Sequence, residues 1–188
     1  MKNNTGFKGF SESLLATSKK KNMLKKHFML LALLCYSLAA SAQLVCQQQD
    51  REKALEVLKK AKAEQWPALP AGELLVNIGK EFLGKPYVAH TLETDDDEPL
   101  VVNLRGLDCT TYLESVVALG LAIMRQDFSF KGFTAALEQL RYREGTRSGY
   151  ASRLHYFSEW LHSNEQKGLV EQVTASAGGV AIDKPLNF

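Results

Sequence analysis

The chain has 188 residues and a nearly balanced charge, with 23 basic and 21 acidic residues and a formal net charge of +2. Residues 1–42 hold seven of the basic residues and one of the acidic ones, which leaves 16 basic and 20 acidic side chains in residues 43–188. That part therefore has a net charge of −4 and lacks the basic patch that nucleic-acid binding requires, so we expect no nucleic-acid partner. Its length suits one compact domain.

The N-terminal region has the three parts of a secretory signal peptide. A lysine-rich stretch precedes the apolar residues 28–40, and Ala40-Ser41-Ala42 forms a small-x-small cleavage site. The apolar stretch is shorter than the roughly 20 residues that span a bilayer, which disfavours an uncleaved anchor. We expect residues 1–42 to be a leader whose true start is Met23 and which is cleaved after Ala42. The mature protein would then have no stable membrane span and would reach the periplasm or the cell exterior.

Two amphipathic helices are predicted next. Residues 50–63 and 71–83 place apolar side chains at helical spacing. Gly84 followed by Pro86 is a common way to end a helix, and it sets the end of the second one.

Extended segments are predicted around an acidic turn. Residues 87–91 favour an extended conformation, and the β-branched residues 99–104 favour a short strand. The acidic turn 93–98 between them lacks the glycine and the distal glutamate of an EF-hand. We therefore expect a solvated loop there, with no metal and no cofactor.

Asp108 and Cys109 open a long apolar helical run. Asp108 is a good N-cap, and Cys109 then lies in the first turn, at the positive end of the helix dipole. This position favours the thiolate, which is the nucleophilic form of cysteine, although cysteine is also a common core residue. The predicted buried face of the helix consists of Tyr112, Leu113, Val116, Val117, Gly120 and Ile123.

The C-terminal part is predicted to continue with helices and one strand. Residues 133–140 indicate a short helix, and residues 150–164 carry apolar side chains near helical spacing. In residues 168–174, apolar and polar side chains alternate roughly as they do in a strand.

Only Cys46 and Cys109 remain once the leader is removed. In an oxidising compartment they could form a disulfide, and a structural domain stapled in this way is an alternative to a nucleophilic Cys109. The polar surroundings of Cys46, which precedes three glutamines, disfavour that pairing.

Two motifs together resemble the NlpC/P60 cell-wall hydrolases. These are Gly84-Lys85-Pro86-Tyr87 and, after a loop, Leu107-Asp108-Cys109-Thr110. Arg141-Tyr142-Arg143, the segment 152–156 and the ending 184–188 are similar to the DUF1460 branch, which resembles N-acetylmuramoyl-L-alanine amidases. The resemblance implies an α+β, papain-like fold in which the nucleophile helix packs on an antiparallel sheet. It also implies hydrolysis of peptidoglycan or muropeptides without a metal or a cofactor.

The resemblance assigns roles to individual residues. It implies that Cys109 is the nucleophile, that Asp108 fixes the start of the helix, and that Tyr87 borders the substrate cleft. A half-buried core aromatic is the alternative for Tyr87.

The assignment also needs a general base, because a cysteine nucleophile requires a group that accepts its proton. His155 is the strongest candidate within the chain, and its neighbours Arg153 and Tyr156 would contribute to substrate binding. A substrate-cleft histidine or a satisfied, partly buried histidine is the alternative for His155.

The chain also departs from the family pattern. In the resembling families the base begins a strand in a motif such as His-Val-Gly, whereas this chain has no histidine after His162. We therefore expect the C-terminal part of the domain 43–188, and with it part of the sheet, to be missing. A non-catalytic remnant that binds peptides and a cell-wall endopeptidase remain alternatives to an exported cysteine amidase.

Overall fold

The computed structural model describes residues 44–94 and 98–180. The predicted leader, the middle of the acidic turn and the ending 184–188 lie outside these described residues.

The described residues form five α-helices, two short strands and three 3₁₀ turns. In chain order the elements are β1 Leu44–Cys46, α1 Gln48–Ala63, a 3₁₀ turn Trp66–Ala68, α2 Ala71–Lys80, β2 Leu100–Val102, α3 Cys109–Met124, α4 Phe130–Arg141, 3₁₀ turns Arg143–Gly145 and Tyr150–Ser152, and α5 Phe157–Gln166. The predicted helices in the regions 50–63, 71–83, 109–124 and 133–140 are thus confirmed, and so is a strand within 99–104. Within the described part of the chain, no helix has the length and apolar character that crossing a membrane would require.

Helix α3 lies at the centre of the core and packs against α1, α2 and α4. Because neighbours surround it, side chains are buried on several of its sides, including Glu114 and Ser115. Val116, Gly120 and Ile123 of the predicted face are indeed buried, but Tyr112 is 40% exposed. The single buried face expected from the sequence was therefore too simple for a helix at the centre of the core.

Gly120 allows α2 and α3 to approach closely. A Cβ atom at this position would lie 2.9 Å from Cδ2 of Leu75 on α2. The two helices therefore pack with a minimal gap at the level of the core residue Ile78.

The sheet of the described residues has two strands, β1 and β2, which pair in parallel. Leu44 lies opposite Leu100, and Cys46 lies opposite Val102. The antiparallel sheet expected behind the nucleophile helix is not confirmed. The prediction that Cys46 has polar surroundings is wrong, because Cys46 belongs to β1 and packs against the core.

Asp50 ties the start of α1 to the segment that follows β2. Its buried carboxylate accepts hydrogen bonds from the amide of Leu104 at 2.8 Å and from Nε of Arg105 at 3.1 Å. The side chain of Asn103 accepts bonds from the next two amides, Arg105 N and Gly106 N. These contacts fix the short connection between β2 and α3.

The predicted strand 168–174 is wrong. Gly168 has φ +67° and ends α5, with its amide bonded to the carbonyl of Glu165 and the Leu169 amide bonded to that of Asn164. This pair of bonds is a Schellman cap, so the glycine terminates a helix instead of starting a strand. Helix α5 itself begins only at Phe157, and Leu161 on it is 44% exposed.

Candidate functional site

The two motif segments lie side by side in the structure. Tyr87 and Leu107 form an isolated parallel bridge. The Val88 amide donates to the Leu107 carbonyl, and the Leu107 amide donates to the Pro86 carbonyl, each at 3.2 Å. Two segments about 20 residues apart in the chain are thereby joined directly in front of Asp108 and Cys109.

Gly106 permits this close approach. A Cβ atom there would lie 2.6 Å from Cγ2 of Val88 and 3.8 Å from the carbonyl oxygen of Pro86. Since real side chains essentially never approach so closely, only glycine fits without displacing Val88.

Asp108 caps α3 through a reciprocal set of hydrogen bonds. Its Oδ1 accepts from the Thr111 amide at 2.7 Å and from the Thr111 hydroxyl at 2.8 Å, while its own amide donates to Oγ1 of Thr111 at 2.9 Å. This is the capping-box arrangement with threonine as the second member. The cap predicted from the sequence is confirmed, and it fixes the first turn in which Cys109 lies.

Cys109 is exposed and lines a pocket of about 370 Å³. Tyr87 lies on the same pocket with 72% of its surface exposed, so it is no core aromatic. Asp108 also lines it, partly buried. The full lining set is Gly79, Phe82, Leu83, Gly84, Lys85, Pro86, Tyr87, Leu107, Asp108, Cys109 and Tyr112. The structure thus brings together three of the six site residues predicted from the sequence.

Tyr112 is a pocket residue, although its helical spacing predicts a position in the core. It follows Cys109 by one helical turn, and its ring makes an edge-to-face contact with Phe82 at 6.2 Å between ring centroids. Its hydroxyl would lie 2.5 Å from a Cβ atom at Gly79, so the glycine makes room for the phenol. Spacing alone cannot separate a core tyrosine from one at the rim of a pocket.

The start of α3 offers two unused backbone donors beside the thiol. The Thr111 amide binds Oδ1 of Asp108, and the Tyr112 amide binds the Asp108 carbonyl at 2.9 Å. Within the described residues, the amides of Cys109 and Thr110 have no acceptor. Free amides at a helix start can stabilise an anion next to the nucleophile.

Arg153 is buried in a charged network and does not line the Cys109 pocket. It pairs with Glu98 at 2.9 Å and with Glu93 at 3.1 Å. The hydroxyl of Tyr142 donates to the same Glu98 at 3.1 Å, and burial raises the pKa of Tyr142. The solvated loop predicted for residues 93–98 is therefore wrong at Glu98, which is buried by partners far away in the sequence.

His155 and Tyr156 are exposed and lie outside the lining of the Cys109 pocket. Nε2 of His155 lies 3.0 Å from the Tyr150 carbonyl oxygen, and its ring packs on that of Tyr150 at 4.2 Å. No histidine lines the pocket among the residues that the structure describes.

Both cysteines of the described region are free thiols, and the Cys46–Cys109 disulfide is not formed. Burial and the nearby carboxylate of Asp50 raise the pKa of the Cys46 thiol. Cys46 therefore has the environment of a structural cysteine. In residues 44–94 and 98–180, no group of three or more His, Cys, Asp or Glu side chains is placed to hold a metal ion.

Comparison with known proteins links the chain to amidases. A family model described as AmiA-like, N-acetylmuramoyl-L-alanine amidase-like, matches residues 77–188, which is more than half of the chain. This range includes every residue that lines the Cys109 pocket. The search of curated proteins gave no match.

The search of solved structures found partial matches to this chain. A protein from Legionella pneumophila named with the DUF1460 family is 25% identical, with a TM-score of 0.57 over 69% of this chain and 41% of that one. A proposed xylanase from Bacteroides fragilis is 42% identical, with a TM-score of 0.50 over 53% and 43%. An N-acetylmuramoyl-L-alanine amidase from Bacteroides uniformis is 41% identical, with a TM-score of 0.49 over 52% and 41%. The chain thus spans about two fifths of the length of these proteins.

Proposed function

We propose that this chain, which belongs to the AmiA-like family of N-acetylmuramoyl-L-alanine amidase-like proteins, is an exported cysteine amidase of peptidoglycan. The observation that carries the proposal is the exposed thiol of Cys109, which lies in the first turn of a capped helix and on a pocket bordered by Tyr87. The relationship to the NlpC/P60 superfamily and the papain-like fold are part of the same proposal.

The proposed reaction proceeds in two steps. Sγ of Cys109 attacks the carbonyl carbon of the amide between N-acetylmuramic acid and L-alanine. The C–N bond breaks, the peptide amine leaves with a proton, and a thioester remains on Cys109. Water then hydrolyses the thioester, which releases the carboxylate and regenerates the thiol.

The start of α3 supports this chemistry. In this proposal the amides of Cys109 and Thr110, which have no acceptor among the described residues, donate to the oxyanion that forms on the attacked carbonyl. Asp108 accepts a hydrogen bond from the next amide of the helix, that of Thr111. This bond holds the first turn and thereby keeps the amides of Cys109 and Thr110 in position. The role that we propose for Asp108 is therefore to position the nucleophile and the oxyanion donors.

His155 is our proposed base among the histidines of the chain. Its imidazole is exposed, and its Nε2 is bonded to a backbone carbonyl. For catalysis, His155 would have to give up that bond and face Cys109. Arg153 and Tyr156 are proposed to support substrate binding from the same segment, Tyr156 through its exposed ring.

Export through the leader 1–42 completes the proposal. Expression with N-terminal sequencing of the secreted protein tests it directly, and the expected mature N-terminus is Gln43.

A glycosidase is not supported by this site, despite the name of one structural neighbour. Glycosidases of the usual kind need two carboxylates across the scissile bond. Asp108 is the one acidic residue among the described residues that line the pocket, and its Oδ1 is engaged in the helix cap.

A non-catalytic peptide-binding protein is the second candidate. It is favoured by the observation that no histidine lines the Cys109 pocket in the described residues. In that case the pocket would bind a peptide without cleaving it.

Digestion of purified muropeptides tests these alternatives, with the products identified by mass spectrometry. An amidase releases free N-acetylmuramic acid ends and intact stem peptides, whereas an endopeptidase leaves L-alanine attached to the sugar. Binding without any product would select the second candidate.

A further inference from the structure

Lys85 brings to the Cys109 pocket an ammonium group that has no ion-pair partner among the described residues. It lines the pocket and is exposed. The one carboxylate among the described lining residues, that of Asp108, is engaged by the amide and hydroxyl of Thr111. Lys85 makes no ion pair with any described residue. A ligand in this pocket therefore meets one ammonium group that has no partner in the described residues.

The backbone around Lys85 is held firmly. Gly84 adopts φ +80°, which only glycine adopts readily, and the Lys85 amide donates to the Phe82 carbonyl at 3.2 Å. Pro86 restricts the conformation of Lys85, and its carbonyl accepts the bond from Leu107. The Cα atom of Lys85 is thereby fixed relative to the nucleophile helix, so only the side chain has to adapt to a ligand.

We propose that Lys85 is a specificity residue that selects substrates with a free carboxylate close to the scissile amide over the same substrates with a carboxamide. The inference rests on the proposed function, because it takes the Cys109 pocket to be the peptide site. The rings of Tyr87 and Tyr112 provide apolar walls for the peptide, and the ammonium group pairs with its carboxylate. Because Lys85 is exposed, such a pair contributes a modest preference that salt weakens.

A binding measurement tests this separately from catalysis. The probes are N-acetylmuramoyl-L-alanyl-D-glutamate with its γ-carboxyl group amidated, so that only the α-carboxylate is free, and the same compound with the α-carboxylate converted to a carboxamide as well. Binding of both is measured by calorimetry to the full chain carrying Cys109→Ala, so that no probe is consumed. The same measurement is made with Lys85→Met, with Lys85→Arg and with Lys59→Met, which removes an exposed lysine outside the pocket.

We expect the carboxylate probe to bind about fivefold more tightly than the carboxamide, with a preference that weakens as salt is added. Lys85→Met should abolish the preference, whereas Lys85→Arg and Lys59→Met should keep it. Equal binding of the two probes, no binding of either at millimolar concentration, or an unchanged preference in Lys85→Met would overturn the inference. A preference found without any hydrolysis by the parent chain would sustain the role of Lys85 and refute the amidase. Hydrolysis by the parent chain without a preference between the probes would sustain the amidase and refute the role of Lys85.

Discussion

The guanidinium of Arg141 on α4 lies 2.8 Å from the carboxylate of Glu114 on α3, and both side chains are at least 97% buried. Nη1 of the same arginine donates to the Val101 carbonyl of β2 at 2.6 Å. One buried charge pair thus connects α3, the following helix α4 and the sheet. A buried pair of this kind is costly to break, because removing one partner leaves the other charge without compensation.

Breaking this pair should destabilise the chain severely. We expect Glu114→Gln to lower the free energy of unfolding by about 3–5 kcal/mol. The double variant Glu114→Leu/Arg141→Met removes both charges and should recover part of that loss, because it also removes the bond from Arg141 to the Val101 carbonyl. Glu56→Gln, which breaks an exposed pair with Lys53, is the matched control and should change stability by less than about 0.5 kcal/mol. Urea unfolding measures all three, and equal losses in Glu114→Gln and the control would show that the buried pair is unimportant.

The cap of α3 can be tested through its acceptor oxygen. Asp108→Ala removes the acceptor for the Thr111 amide and should cost about 1 kcal/mol of stability. Asp108→Asn keeps an acceptor at the same place and should be nearly as stable as the parent. Chemical unfolding compares the two, and an alanine variant as stable as the asparagine variant would contradict the role of the cap.

The contact between Gly106 and Val88 gives a prediction about the pocket itself. Gly106→Ala forces a methyl group against Val88 and should destabilise the chain by about 1–3 kcal/mol. Adding Val88→Ala removes the nearest clashing atom and should restore part of the loss. The control is Gly72→Ala in α2, where a Cβ atom meets nothing within 4 Å. This substitution should leave the stability unchanged or raise it slightly. Thermal unfolding provides the comparison, and a Gly106→Ala variant as stable as Gly72→Ala would refute the tight approach.

The two free thiols should differ in reactivity. Cys109 is exposed, whereas Cys46 is partly buried and has a raised thiol pKa, which leaves less thiolate at neutral pH. Iodoacetamide at neutral pH should therefore label Cys109 much faster than Cys46, as peptide mass spectrometry can show. Preferential labelling of Cys46 would contradict this assignment of the two cysteines.

Local signals in the sequence correctly predicted the start of α3, where Cys109 lies, and the approximate end of α2. Asp108 caps a helix through Thr111, three residues away, and such short-range chemistry is readable without the fold. Gly84 and Pro86 likewise marked the end of α2 correctly to within a few residues.

Features that depend on distant partners were not readable. Glu98 is buried because Tyr142 and Arg153 meet it from other parts of the chain, so its acidic neighbours gave a misleading signal. Tyr112 has helical spacing suited to the core, yet the neighbouring Gly79 leaves its ring at the rim of the pocket. The glycine at 168 was compatible with a turn into a strand and with a helix cap, and only the bonds to Asn164 and Glu165 decide between them.

The rate of muropeptide hydrolysis by the parent chain and by Cys109→Ala tests the central claim most directly. We predict that the parent separates N-acetylmuramic acid from the L-alanyl stem peptide and that Cys109→Ala loses this activity by at least about a thousandfold. Cys46→Ala should retain it, since that thiol lies in β1 outside the pocket. Equal rates for the parent and Cys109→Ala, or no hydrolysis by the parent, would contradict the account.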